Sequence, residues 1–296
     1  MLALRALLAT QPPLELGPKV AAKFDALLEQ TPAAKGVTYH QAVVGGVPGW
    51  WCRLEGAAED VAILHLHGGG YVVGSAKSYR KFVGQIAERA KANIFIADYR
   101  LAPDHPFPAA IEDAEAAYRG LVETGCRRIA LTGDSAGGGI ALGLLARLAA
   151  ADQASLPRPL ATAVMSPWTD LALTGASFQT RARADPLLRR DTLERAASLY
   201  LGDRDPRSPA ASPLYGDVTG LSPVLIQVGQ DEVLLDDARR YAARVEAAGG
   251  TVELHVWDGM VHVFQTNITM LRAARDAMDQ TGDFLRRTLS APRAAR

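Results

Sequence analysis

Cysteine is nearly absent: Cys52 and Cys126 are the only two in 296 residues. Their spacing fits neither a metal motif nor a disulfide framework, so two buried thiols are expected. Net charge is missing too, because 32 basic side chains balance 32 acidic ones. Without a basic surplus, neither nucleic acid nor anionic lipid is an expected partner. No apolar run is long enough to span a bilayer. The opening "MLALRALLATQPP" holds one arginine and a short apolar run that Gln11, Pro12 and Pro13 break. It lacks a convincing cleavage site, so no signal peptide is expected. These absences leave a soluble, cytoplasmic chain without stable membrane association as the expectation. The 48% of apolar residues supply a large core, and the length suits an α/β fold built as one unit.

What is present is a rhythm. "LGPKVAAKFDALLEQTP" has apolar residues at helical spacing and a proline stop, and two β-like runs follow, "VTYHQAVVGG" and "PGWWCRL". Then strand and helix alternate. The predicted strands are "VAILHLH", "NIFIADY", "RIALTG", "ATAVMSP", "PVLIQVG" and "VELHVW"; helical stretches such as "SYRKFVGQIAERAKA", "PAAIEDAEAAYRGLVE", "IALGLLARLAAA" and "DDARRYAARVEAAG" lie between them. Near-continuous apolar strands fit burial on both faces. The alternation predicts a mostly parallel sheet flanked by helices. From about Pro167 to Pro223 the rhythm fails. Two helical pieces and several proline turns stand there, too long a stretch for a plain loop.

"LTGDSAGGGIA", from Leu131 to Ala141, puts one serine among four glycines. Glycine inside a helix costs about 1 kcal/mol relative to alanine, so the backbone must need a sharp bend or a close approach. The segment joins a predicted strand to a predicted helix, and Gly133 to Gly137 reads G-x-S-x-G. In that setting the pattern is a nucleophile elbow, with Ser135 raised at the carboxyl end of the sheet. A serine hydroxyl needs a base. In this architecture the acid and then the histidine follow the serine. Of six histidines only His255 and His262 do so, and His255 sits within a strand. His262 follows the turn after the last strand. The acid belongs after "PVLIQVG", where Asp231 is the first choice and Glu232 and Asp236 are rivals. Asp236 and Asp237 also read as a helix cap and first-turn acids. "HLHGGGYVVG" offers backbone N–H groups to an oxyanion, together with that of Ala136, the residue after the nucleophile. His67 is expected to anchor that loop.

HGGG at His67 to Gly70, "YRLAPDHPFPAA" at Tyr99 to Ala110, GDSAGG at Gly133 to Gly138, "SPWTDL" at Ser166 to Leu171 and "GMVHVF" at Gly259 to Phe264 together resemble the bacterial hormone-sensitive-lipase-like carboxylesterases. The resemblance runs from about Gly36 to the C-terminus. It implies an α/β-hydrolase fold with a helical cap and hydrolysis of esters with short to medium acyl chains. It implies the triad Ser135, Asp231 and His262, with Gly69, Gly70 and Ala136 as oxyanion donors. One departure is Asp231-Glu232-Val233, where many members carry Asp-Pro-Leu. The expected organisation is an N-terminal helical cap segment over 1–35, core over 36–166, a cap insertion over 167–222 and core over 223–296. The expected partner is a small ester, with no cofactor and no metal. A homodimer is left open. So are lactone hydrolysis and deacetylation at the same site, and a non-catalytic ligand receptor on the same fold. A peptidase on this fold usually carries a large extra domain, for which 296 residues leave little room. Haloalkane and epoxide chemistry would put aspartate at the elbow.

Overall fold

The computed structural model describes residues 16–150 and 156–290. A 3₁₀ turn (Pro18–Val20) and α1 (Ala21–Leu28) lead into β1 (Val37–Val44) and β2 (Val47–Leu54). Next come β3 (Val61–Leu66), α2 (Ala76–Ala90), β4 (Asn93–Ala97), α3 (Ala109–Glu123), β5 (Arg128–Asp134), α4 (Ser135–Ala149) and β6 (Thr162–Met165). Two helices, α5 (Ser177–Thr180) and α6 (Arg190–Leu201), precede β7 (Val224–Gly229), α7 (Leu235–Ala247), β8 (Val252–Trp257) and α8 (Arg272–Ser290). Residues 1–15, which hold "MLALRALLATQPP" and much of the expected N-terminal cap segment, lie outside the described residues.

All eight runs expected as strands form one sheet, in the order β1-β2-β4-β3-β5-β6-β7-β8. Only β2 runs against its neighbours β1 and β4; the other pairings are parallel. This is the mostly parallel sheet expected from the alternation, in the α/β-hydrolase fold that the resemblance implies. β3, β4 and β6 are buried along their whole length, because helices cover both faces. Alternate side chains serve alternate cores. On β7, Val224, Ile226 and Val228 join the cluster beneath α3, α4 and α7, whereas Leu225 joins the cluster beneath α2 and α8.

Helix α8 was not singled out in the sequence. Much of its buried stripe is small or weakly apolar, with Ala274, Ala277, Thr281 and Gly282 beside Met278, Phe284, Leu285 and Leu289. Gly282 is required by the packing, since a Cβ there would collide with Arg89 of α2. Among the described residues, no helix is long and apolar enough to cross a membrane. Both cysteines are unpaired and buried.

Candidate active site

The sheet gathers the candidate side chains at one edge. His67, Ser135, Ser166, Glu232 and His262 each follow the carboxyl end of a strand, β3, β5, β6, β7 and β8 in turn. Loops at that edge of an open α/β sheet form its ligand crevice.

The elbow explains its glycines. Asp134 is still extended (φ −127°, ψ 148°), and Ser135, the first residue of α4, turns abruptly to φ 52°. A non-glycine residue in that region costs on the order of 1–3 kcal/mol. A Cβ at Gly133 would collide with the Gly137 carbonyl, and one at Gly137 with the carbonyls of Leu66 and His67. A side chain at Gly133 would force the elbow itself open, and one at Gly137 would push the start of α4 away from the loop after β3.

Three side chains meet in a line. His262 Nε2 lies 3.0 Å from Ser135 Oγ, and its Nδ1 lies 2.8 Å from Glu232 Oε2. Ser135 is 7% exposed, His262 8% and Glu232 0%. Glu232 Oε1 accepts the Ser166 hydroxyl at 2.9 Å and also the Gly229 N–H. Ser166 Oγ in turn accepts the N–H of Val263 at 3.1 Å. One serine thereby fixes both the carboxylate and the residue after the histidine. Burial alone would lower the His262 pKa, but the Glu232 carboxylate, with Asp185 and Asp134 beyond it, raises it above the ordinary value.

This corrects the choice of Asp231. The carboxylate at His262 belongs to its neighbour Glu232. The Asp231 N–H donates to the Met260 carbonyl at 3.0 Å, which ties this position to the turn below His262. From the next position, the longer glutamate side chain reaches Nδ1. The third contender, Asp236, accepts the Ser177 N–H at 2.9 Å. Asp237 accepts the N–H groups of Thr169 and Asp170 at 2.7 and 2.8 Å. Both acids stand in the first turn of α7, yet they hold backbone N–H groups of the 166–177 stretch. Burial pushes the Asp237 carboxyl up to about 8.

The loop after β3 is held from below. Gly68 N–H donates to Asp134 Oδ1 at 3.0 Å, and the Tyr79 hydroxyl to Oδ2 at 3.0 Å. His67 donates from Nδ1 to the Gly68 carbonyl at 2.8 Å, stacks on Tyr99 at 4.3 Å and has its own carbonyl capped by the Tyr99 hydroxyl. Burial lowers the pKa of His67, which suits a neutral structural imidazole. Among the described residues, no acceptor takes the N–H of Gly69 or Gly70. Ala136 stands in the first turn of α4, where an N–H has no intrahelical acceptor. Sequence reasoning missed Asp134, Tyr79, Tyr99 and Ser166 as supports. Only the quoted motifs that contain Asp134, Tyr99 and Ser166 could have flagged them.

Residues 63–266 match a protein family described as alpha/beta hydrolase fold. An acetyl-hydrolase of Streptomyces hygroscopicus is 44% identical over 245 residues, 82% of this chain and 81% of the relative. The chain belongs to the hormone-sensitive-lipase-like esterases of the α/β-hydrolase superfamily. An esterase of Acinetobacter venetianus is 33% identical over 95% of this chain and 93% of its own. A solved esterase from the bacterial hormone-sensitive lipase family is 40% identical, superposes with a TM-score of 0.90 and covers 97% of this chain and 96% of its own. This esterase shares with them the fold that brings Ser135, His262 and Glu232 together.

Proposed function

We propose that this esterase hydrolyses carboxylic esters of short to medium acyl chains through Ser135, His262 and Glu232. The observation that carries the reading is the unbroken line from Ser135 Oγ through both nitrogens of His262 to Glu232 Oε2. Ser135 Oγ attacks the ester carbonyl carbon as His262 Nε2 takes its proton. Glu232 holds Nδ1–H, which leaves Nε2 free to accept, and it stabilises the imidazolium. The carbonyl oxygen becomes an oxyanion, for which the N–H groups of Gly69, Gly70 and Ala136 are the proposed donors. Collapse breaks the bond to the alcohol oxygen, which leaves with the proton from His262. An acyl-enzyme remains, and water releases it by the same steps in reverse roles.

The similarity to a relative named acetyl-hydrolase favours small acyl groups. The cap is part of the same proposal. It would comprise the N-terminal segment and residues 167–222, walling the pocket and setting acyl length. Leu16 supports this, since it is buried and lies against Gly70 in the oxyanion loop. Two buried, unpaired thiols suit a reducing compartment, so the proposal places the enzyme in the cytoplasm. A panel of p-nitrophenyl esters from acetyl to octanoyl, run beside five- and six-membered lactones, tests the substrate class. The highest kcat/KM is expected on the shortest linear esters. Faster turnover of a lactone than of every linear ester would replace the reading with lactone hydrolysis.

The raised pKa of His262 gives a second expectation. Only the neutral imidazole can take the serine proton, so kcat/KM falls as pH drops through the histidine pKa of the free enzyme. The acid limb should lie above the ordinary imidazole value of about 6.5. A limb well below that value would mean that no carboxylate acts on the base.

A further inference from the structure

Asp185 is a second buried carboxylate beside the catalytic line, and the mechanism above does not use it. It stands between α5 and α6, in the segment that interrupts the strand–helix rhythm, and is 7% exposed. Oδ1 accepts the N–H groups of Leu187 and Leu188, both at 2.9 Å. Oδ2 accepts the N–H of Val233 at 2.9 Å. Val233 directly follows Glu232. All three partners are N–H donors, which suits an ionised carboxylate. Ser177 clasps the same turn from the same segment. Its hydroxyl donates to the Val233 carbonyl, and it accepts the Asp236 N–H at 3.1 Å.

We propose that Asp185 is a positioning residue that ties the 167–222 segment to the Glu232–Val233 turn and so holds the Glu232 carboxylate on His262. The proposal rests on the functional reading above. Its physical content is twofold. The bond to Val233 N–H fixes the backbone from which the glutamate side chain springs, and catalytic groups tolerate little looseness. The charge also adds to the field at His262. Three groups face that imidazole with negative charge: Glu232 after β7, Asp185 from the inserted segment and Asp134 at the elbow. Burial raises the pKa of Asp185 itself, while its N–H donors and His262 act the other way. The segment proposed as the pocket wall thereby reaches the catalytic line through one side chain.

The test is Asp185→Asn in the full chain, with p-nitrophenyl acetate, and with rates normalised to sites titrated by a phosphonate. An amide keeps one acceptor and turns an N–H₂ group toward a backbone N–H, so one half of the clasp is lost. Expected are a fall in kcat of about ten-fold, a much smaller change in KM and an acid limb moved to lower pH. In a Glu232→Gln background the same substitution should cost less than about two-fold, because a residue acting through Glu232 has nothing left to position. Asp185→Glu keeps the charge but displaces it, so kcat should fall while the limb stays near its original pH. Should Asp185→Asn fail to fold, Asp185→Glu alone decides the matter: undiminished kcat per titrated site overturns the proposal. A lowered Tm with unchanged kcat and an unmoved limb would make Asp185 a purely structural tie and overturn it too. So would equal losses with and without Glu232. An inert Ser135, or a harmless Glu232→Gln, would instead remove the functional reading on which the proposal stands.

Discussion

Ser135→Ala is expected to lower kcat for short-chain esters by a factor on the order of 10⁴ to 10⁶ and to leave KM nearly unchanged. No other hydroxyl stands 3.0 Å from His262 Nε2 among the described residues, so no neighbour can take over the attack. The fold should survive. The substitution removes a single oxygen, alanine meets the same φ of 52° as serine, and the glycines that permit the bend stay in place. The residual rate would come from the oxyanion donors and substrate binding alone. Turnover within ten-fold of the parent would show that Ser135 is not the nucleophile.

Glu232→Gln should be nearly as damaging, with a loss on the order of 10³ to 10⁴ in kcat. Glu232 Oε1 accepts two donors, the Ser166 hydroxyl and the Gly229 N–H. A glutamine carbonyl will take that place, which turns its N–H₂ group toward His262 Nδ1. The imidazole must then accept at Nδ1 and carry its proton on Nε2, where it can no longer receive the proton of Ser135. Asp231→Asn, one residue away, should change kcat by less than about three-fold, because the carboxylate on His262 Nδ1 is that of Glu232 and is kept. If Asp231→Asn proved the more damaging of the two, the geometry around His262 would be misassigned.

The contrast between these neighbours marks how far the sequence could be read. The alternation of apolar strands and helices was visible because both faces of the sheet are covered; the six strands from β3 to β8 follow from it, while β1 and β2 read as two β-like runs ahead of it. The elbow was visible because steric necessity leaves a compositional trace: only glycine fits at Gly133 and Gly137. Two adjacent carboxylates leave no such trace. Which of them meets His262 depends on side-chain reach and on where the Met260 carbonyl anchors the turn. Position after the strand and the family pattern both pointed to Asp231, whereas Glu232 is the one that meets His262. Ser166 and Asp185 were invisible for another reason. Their partners Glu232 and Val233 lie 66 and 48 residues away in the chain, and only the folded sheet makes them neighbours.

The most direct measurement of the central claim is the fate of the enzyme in its first turnover. The chain would be mixed with a slowly deacylating p-nitrophenyl ester, quenched and digested. A burst of one p-nitrophenol per chain is expected, with the acyl mass found on the peptide that contains Ser135. The Ser135→Ala chain should show neither burst nor adduct. Steady ester hydrolysis without a burst, or an acyl group carried on any other residue, would contradict covalent catalysis by Ser135.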